Sequence, residues 1–123
     1  MAITKTSITL LAAGAVAPGS TKAAPGRASD AIDCRGHYGG LLTYSINNGT
    51  SAPTVALTLT LQVATDGANW RDLWTVGGDA VASSSYSNAV DLPRGAMYAR
   101  AIAYGNTVAP VTVTVELHAI TAL

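Results

Sequence analysis

The stretch Thr54–Thr65, TVALTLTLQVAT, decides the fold class of this 123-residue chain. One face of the extended stretch carries its apolar residues, Val55, Leu57, Leu59, Leu61 and Val63. The opposite face carries Thr54, Thr58, Thr60 and Gln62. Alternation of this length is typical of a half-buried strand in an antiparallel sheet. We therefore expect a strand whose leucines point into a core.

The same alternation returns near the C-terminus, in VTVTVELHA (111–119). There it predicts that Val111, Val113, Val115 and Leu117 lie inside. Shorter runs fit further strands. LLTYSI (41–46) groups Leu42, Tyr44 and Ile46 on one face. WRDLWTV (70–76) groups Trp70, Trp74 and Val76. MYARAIAY (97–104) sets Met97 and three alanines on one face, and its pattern leaves open which face is buried.

Turn residues separate these runs at short intervals, as at Pro18-Gly19, Asn48-Gly49, Asp66-Gly67 and Gly105-Asn106. Short strands with frequent turns predict an all-β fold, an antiparallel β-sandwich of about eight strands that is jelly-roll-like. Residues 17–29 are rich in Pro, Gly and small residues. We therefore divide the chain into an N-terminal strand or arm with its linker (1–27) and a β-sandwich domain (28–123).

Composition excludes several classes of function. Only 11% of the residues are charged, with seven basic against seven acidic side chains. A nucleic-acid partner is not expected, because phosphate binding needs a basic patch. The single cysteine excludes an internal disulfide. No apolar run reaches the roughly 20 residues of a membrane helix, so no membrane partner is expected.

The N-terminal segment resembles a short signal peptide, since Lys5 precedes ITLLAAGAVA. Thr9 and Gly14 dilute its apolar run, and Pro18 follows the best cleavage site, so we do not expect secretion by this route. We expect instead an ordered strand, in the chain's own sheet or added to a neighbouring subunit. Ile3, Ile8, Leu10 and Leu11 would form its apolar side.

The loop TDGANW (65–70) has the Asp-Gly of a tight hairpin turn followed by a tryptophan. A structural hairpin explains it better than sugar chemistry. Cys34 with His37 suggests a nucleophile and base, but residues three apart on a strand face opposite ways, so a small buried hydrophobe is favoured. Cys34, His37 and His118 lack a metal-binding spacing. Most of the seven carboxylates stand at turns, where they cap backbone groups. We expect no catalytic residues, metal or cofactor.

Four aromatic residues remain as a candidate docking or sugar-stacking face: Trp70, Trp74, Tyr98 and Tyr104. Core packing of the tryptophans is the alternative. Together with the four apolar residues of the N-terminal segment, they form our candidate interface.

The chain resembles the small all-β virion proteins of tailed bacteriophages. The likeness spans most of residues 28–118 and rests on a series of strand and turn segments: SDAIDCRGHYGGLLTYSINNG (29–49), VALTLTLQVATDGANW (55–70), LPRGAMYARAIAYGNT (92–107) and VTVTVE (111–116). These segments match in pattern and carry no diagnostic motif.

The resemblance implies a non-enzymatic virion structural protein, assembled in the host cytoplasm. Head decoration (a cement protein) is the favoured role, with the major capsid protein or other virion proteins as partners and a homo-oligomer as the expected state. Two alternatives stay open: a neck or tail accessory protein, and a carbohydrate-binding host-attachment module. A small enzyme using Cys34 or an acid pair is a third, less favoured reading.

Overall fold

The computed structural model describes residues 3–123. It contains nine β-strands and, in this range, no helix: β1 (Thr4–Val16), β2 (Arg27–Ala28), β3 (Ile32–Asp33), β4 (Gly40–Asn48), β5 (Thr58–Ala64), β6 (Arg71–Gly77), β7 (Ser85–Leu92), β8 (Tyr98–Tyr104) and β9 (Val111–Ala122). Within residues 3–123, therefore, no helix is long and apolar enough to cross a membrane.

The strands form two antiparallel sheets. The first has the order β1-β9-β4-β7, and the second has the order β2-β8-β5-β6, with β3 also paired to β8. The pairs are nested along the chain: β1 with β9, β2 and β3 with β8, β4 with β7, and β5 with β6. Since β2 and β3 are two pieces of one edge position, eight positions remain, as in a jelly roll. The all-β sandwich prediction is confirmed.

The core lies between the sheets and consists of the residues that the alternation selects. In β9, Val111, Val113, Val115 and Leu117 are fully buried, and Leu42, Tyr44 and Ile46 of β4 lie beside them. From the second sheet come Leu57, Leu59 and Leu61. In β8 the inner face is that of Ala99, Ala101 and Ala103, whose small side chains let the sheets approach closely.

Four details differ from the expectations. Val55 lies in the loop before β5 and is exposed, because the strand begins only at Thr58. Thr60 and Gln62 point outward yet are buried, because polar side chains of β6 and β8 cover them. Met97 precedes β8 and is exposed, so it does not share the buried face of Ala99, Ala101 and Ala103.

The fourth difference is a β-bulge in β6. Leu61 pairs with Trp74, but Gln62 pairs with Asp72, so Leu73 is an extra residue. An extra residue reverses the facing of everything beyond it. Trp70 and Asp72 therefore lie on the outer face of the second sheet, whereas Trp74 and Val76 lie on the inner face. The expected grouping of Trp70 with Trp74 is wrong.

The predicted N-terminal strand is confirmed as β1, which pairs with β9 from Thr4 to Val16 in the chain's own first sheet. Met1 and Ala2 lie outside the described residues. The division at residues 27 and 28 stays a prediction.

Candidate functional site

Three loops at one end of the sandwich expose valine side chains. They connect β4 to β5, β6 to β7 and β8 to β9, and they carry Val55, Val81 and Val108, which are 54%, 61% and 76% exposed. We call this surface the valine end. Sequence reasoning missed it, although a valine between turn residues in each loop was a visible signal.

Backbone hydrogen bonds hold these loops side by side. Thr107 N donates to Val55 O, and Thr54 N donates to Thr107 O, both at 3.2 Å. On the other side, Ser83 N donates to Gly49 O at 2.8 Å. The side-chain amide of Asn48 donates to Val81 O, also at 2.8 Å. The valine end is thus a fixed surface rather than three independent loop tips.

Val108 has a strained backbone, with φ +74°. A β-branched residue in the left-handed region is a conformational outlier, and such strain persists only where the surroundings impose it. Here Ala109 N donates to Thr107 O at 2.9 Å and closes a three-residue turn about Val108, and the buried amide of Asn106 anchors that turn by donating to Val16 O (3.0 Å) and Ala109 O (2.8 Å). The protein therefore holds an apolar, strained side chain out into solvent.

The outer face of the second sheet carries three of the four candidate aromatics, Trp70, Tyr98 and Tyr104. They do not form an open stacking platform. The guanidinium of Arg100 lies 4.3 Å from the centre of the Trp70 ring, and that of Arg35 lies 5.4 Å from the Tyr98 ring.

A chain of polar contacts runs beside these rings. Arg100 Nε donates to Gln62 Oε1 (2.8 Å), Gln62 Nε2 donates to Asp72 Oδ1 (2.9 Å), and Lys22 Nζ donates to Asp72 Oδ2 (2.5 Å). The bonds from Gln62 and Lys22 lower the pKa of Asp72. Asp72 is thus paired with Gln62 and Lys22.

Trp74 lies apart, at the open edge between β6 and β7. Its Nε1 donates to Tyr44 Oη at 3.4 Å, and the Tyr44 ring lies 6.1 Å from that of Tyr86. The fourth candidate aromatic is thus a rim residue of the core.

The candidate residues of the N-terminal segment also separate. Leu10 and Leu11 are buried in the core, and Ile8 packs against it. Ile3 precedes β1 and is exposed. Of the four, only Ile3 presents most of its side chain to solvent.

Cys34 behaves as the small buried hydrophobe that was expected. It is 2% exposed, and its thiol donates to Ile32 O at 3.6 Å. Burial raises the pKa of the Cys34 thiol to about 11, so the thiolate that a nucleophile requires is disfavoured. His37 is joined to Cys34 through its backbone N–H.

Three carboxylates, those of Asp66, Asp33 and Asp79, are held by local hydrogen bonds or ion pairs. Asp66 accepts hydrogen bonds from Asn69 N (2.8 Å) and Ala68 N (2.9 Å), which lower its pKa to about 2 and hold the predicted hairpin turn. Arg35 lowers the pKa of Asp33 to about 2. Asp79 accepts from Ser84 and Val81, which also lowers its pKa. Among residues 3–123, no three His, Cys, Asp or Glu side chains gather as a metal site would require.

One hydroxyl–imidazole group has the composition of a catalytic triad. On the outer face of the first sheet, Ser7 Oγ lies 3.1 Å from His118 Nδ1, and Glu116 Oε2 lies 3.8 Å from His118 Nε2. Thr43 Oγ1 is nearer to Nε2, at 3.3 Å. Thr43, Glu116 and His118 lie on β4 and β9, which are paired on both sides, whereas Ser7 lies on β1, an edge strand of the first sheet.

The sequence matches no protein-family model and no curated protein. Solved structures do share its fold. The PBSX exported protein XepA is 11% identical with a TM-score of 0.57, over 96% of this chain and 38% of XepA. The SPBc2 prophage-derived protein YomS is 13% identical with a TM-score of 0.50, over 96% of both chains.

The K3 cleaved adhesin domain of Lys-gingipain from Porphyromonas gingivalis is 18% identical with a TM-score of 0.50, over 76% of this chain. This chain spans about three fifths of that domain, 61%. At such identities the likeness is one of fold: the chain is an antiparallel β-sandwich similar to an exported protein, a prophage-derived protein and a bacterial adhesin domain.

Proposed function

We propose that this chain is a non-enzymatic structural protein of a bacteriophage virion, assembled in the host cytoplasm. Its favoured role is decoration of the outer head surface, where it would bind the major capsid protein and stabilise contacts between capsomers. The fold shared with the prophage-derived protein YomS supports the virion setting. Jelly rolls also build viral capsid domains, which is support by analogy of fold.

The observation that carries the docking role is the valine end. Val55, Val81 and Val108 lie on adjacent, mutually bonded loops and are mostly exposed. Grouped exposed apolar residues mark interaction sites more often than single ones do. The strain at Val108 adds to this, because strained residues cluster where a protein clamps a partner.

The chemistry-bearing side chains support a role without catalysis. Cys34 is buried with a raised pKa, and the carboxylates of Asp33, Asp66 and Asp79 are tied to local partners. The scarcity of charge also suits a protein that works while docked, since a neutral surface resists association poorly. We include a homo-oligomer in the proposal on the same ground.

Binding to isolated heads tests the proposal. Heads that lack this chain would be mixed with the purified wild type or with a Val55→Ser, Val81→Ser, Val108→Ser triple variant, and bound protein measured after sedimentation. Docking would bury these three valines, and each contributes about 1.5–3 kcal/mol when fully buried. Their loss should therefore weaken binding at least tenfold. Met97→Ser is the matched control, because Met97 is also exposed but lies at the opposite end of β8.

Decoration would be refuted if the wild type failed to bind heads. Docking through the valine end would be refuted if the triple variant bound as tightly as Met97→Ser does. Imaging of complete particles separates the alternatives. Density for this chain on the neck or tail would replace the decoration role with that of an accessory protein.

A further inference from the structure

The outer face of the first sheet is hollowed in two adjoining places. The larger hollow, of about 610 Å³, crosses all four strands at one end of the sheet. Its lining includes Lys5, Tyr38, Asp91, Arg94 and His118, and the rest of the wall is glycine or apolar, from Gly40, Leu41, Leu92, Pro93 and Ile120. The smaller hollow, of about 400 Å³, lies on the same face beside it. Leu41 and Thr43 line one hollow each and are two residues apart on β4, about 7 Å along the strand, so the two hollows adjoin.

Glycines let the backbone approach neighbouring strands closely at one end of the larger hollow. Gly39 has φ +77°, and a side chain there would meet Leu92 O at 2.7 Å. A side chain at Gly40 would meet His118 O at 2.5 Å. The hydrogen bonds Tyr38 N to Ile120 O (2.8 Å) and Ile120 N to Gly39 O (3.0 Å) then fix the Tyr38 loop beside β9. The hollow is therefore built into the backbone.

In the part of the chain that the structure describes, the larger hollow contains two unpaired cations, Lys5 and Arg94, against one unpaired carboxylate, Asp91, in a chain of zero net charge. Four of the seven cations are engaged: Lys22 with Asp72, Arg35 with Asp33, Arg27 with carbonyl groups and Arg100 with Gln62. Within residues 3–123, Lys5, Arg71 and Arg94 have no ion-pair or hydrogen-bond partner. Two of these three line this hollow.

The other lining groups suit a ring that carries hydroxyls. Tyr38, 43% exposed, offers an aromatic surface on one wall, and Asp91 offers a hydroxyl acceptor. His118 is held by Ser7 and Thr43. The smaller hollow is rich in hydroxyl, amide and carboxylate groups, from Thr43, Ser45, Ser87, Asn88, Thr114 and Glu116. The polar groups of this lining offer bonds to many hydroxyls, and its apolar part, Leu41, Leu92, Pro93 and Ile120, offers contact to the face of a ring.

We propose that these two hollows form a binding site for an oligosaccharide that carries carboxylates, as uronic and sialic acids do. Arg94 and Lys5 pair with sugar carboxylates, since a guanidinium binds a carboxylate through two parallel bonds. A sugar ring packs on Tyr38, and the smaller hollow binds the hydroxyls of the next ring. This site uses none of the valine end, so it can serve host attachment while the chain is docked elsewhere.

Calorimetric titration of the full chain tests the site, with trigalacturonate and a sialic acid trimer as probes. We expect saturable binding of at least one probe, and at least tenfold weaker binding for Arg94→Gln or Tyr38→Ala. Two control variants should bind like the wild type. Tyr38→Phe keeps the aromatic ring, and Arg71→Gln removes an equivalent free charge outside both hollows. Circular dichroism verifies that each variant is folded.

Methyl esterification of trigalacturonate removes its charge and should abolish binding of that probe. The proposal is overturned if neither probe binds, if the ester binds as well as the acid, or if Arg71→Gln weakens binding as much as Arg94→Gln. Equal binding of a glutamate trimer would also overturn it and assign the hollows to acidic peptide instead. None of these results depends on whether the protein binds heads.

Discussion

Val108 combines a β-branched side chain, a left-handed backbone and 76% exposure. The left-handed conformation costs an L-residue about 1–2 kcal/mol, while glycine adopts it freely. We predict that Val108→Gly raises the free energy of unfolding by up to about 1 kcal/mol, part of the relief being offset by the greater chain entropy of unfolded glycine. Denaturant melts would measure this. A stability loss above 1 kcal/mol would mean that Val108 contributes to the fold rather than to a surface.

Cys34 gives a pH-dependent prediction. Burial raises the pKa of its thiol from 9.0 to about 11, so the folded protein holds this proton more tightly than the unfolded chain does. The corresponding stability is fully present below pH 9 and is lost as the pH rises towards 11. Wild-type stability should therefore fall more steeply between pH 9 and 11 than that of Cys34→Ala. Parallel slopes for the two proteins in denaturant melts across this range would contradict the assignment.

At the scale of the element, β5 tests which face of a strand holds the sandwich together. Leu59 is fully buried between the sheets, whereas Thr58 is half-buried on the outer face. We predict that Leu59→Ala lowers the free energy of unfolding by about 2–5 kcal/mol through lost burial and a cavity. Thr58→Ala should cost about 1 kcal/mol or less. Similar losses for the two variants in urea melts would show that the register of β5 is misassigned.

The whole molecule depends on the pairing of its first long strand with its last. β1 pairs with β9 along the first sheet and contributes Leu10 and Leu11 to the core. We predict that deleting residues 2–12 abolishes cooperative thermal unfolding, because it removes core side chains and leaves β9 as an exposed edge. Calorimetry and size-exclusion chromatography would measure the loss of the transition and the onset of aggregation. A soluble truncated chain with an intact transition would show β1 to be a dispensable arm.

The sequence by itself determined the fold class and most of the core. Alternation in residues 54–65 and 111–119 fixed which side chains face inward, because the period of a strand leaves two choices and burial selects the apolar one. The Asp66-Gly67 hairpin and the buried state of Cys34 followed from similarly local chemistry. The proposed functional surfaces were not predicted: Trp70, Tyr98 and Tyr104 do share an outer face, but Arg100 and Arg35 lie over two of these rings.

Only the tertiary structure decided the rest, because long-range pairing sets it. A one-residue bulge separates Trp70 from Trp74, and no local pattern announces a bulge. The valine end joins loops more than 20 residues apart in the chain, and the hollow joins Lys5 with Arg94. Such sites form when the nested strands close, and closure depends on every pairing at once. The composition shows that charged residues are scarce, but only the fold places two of the free cations in one hollow.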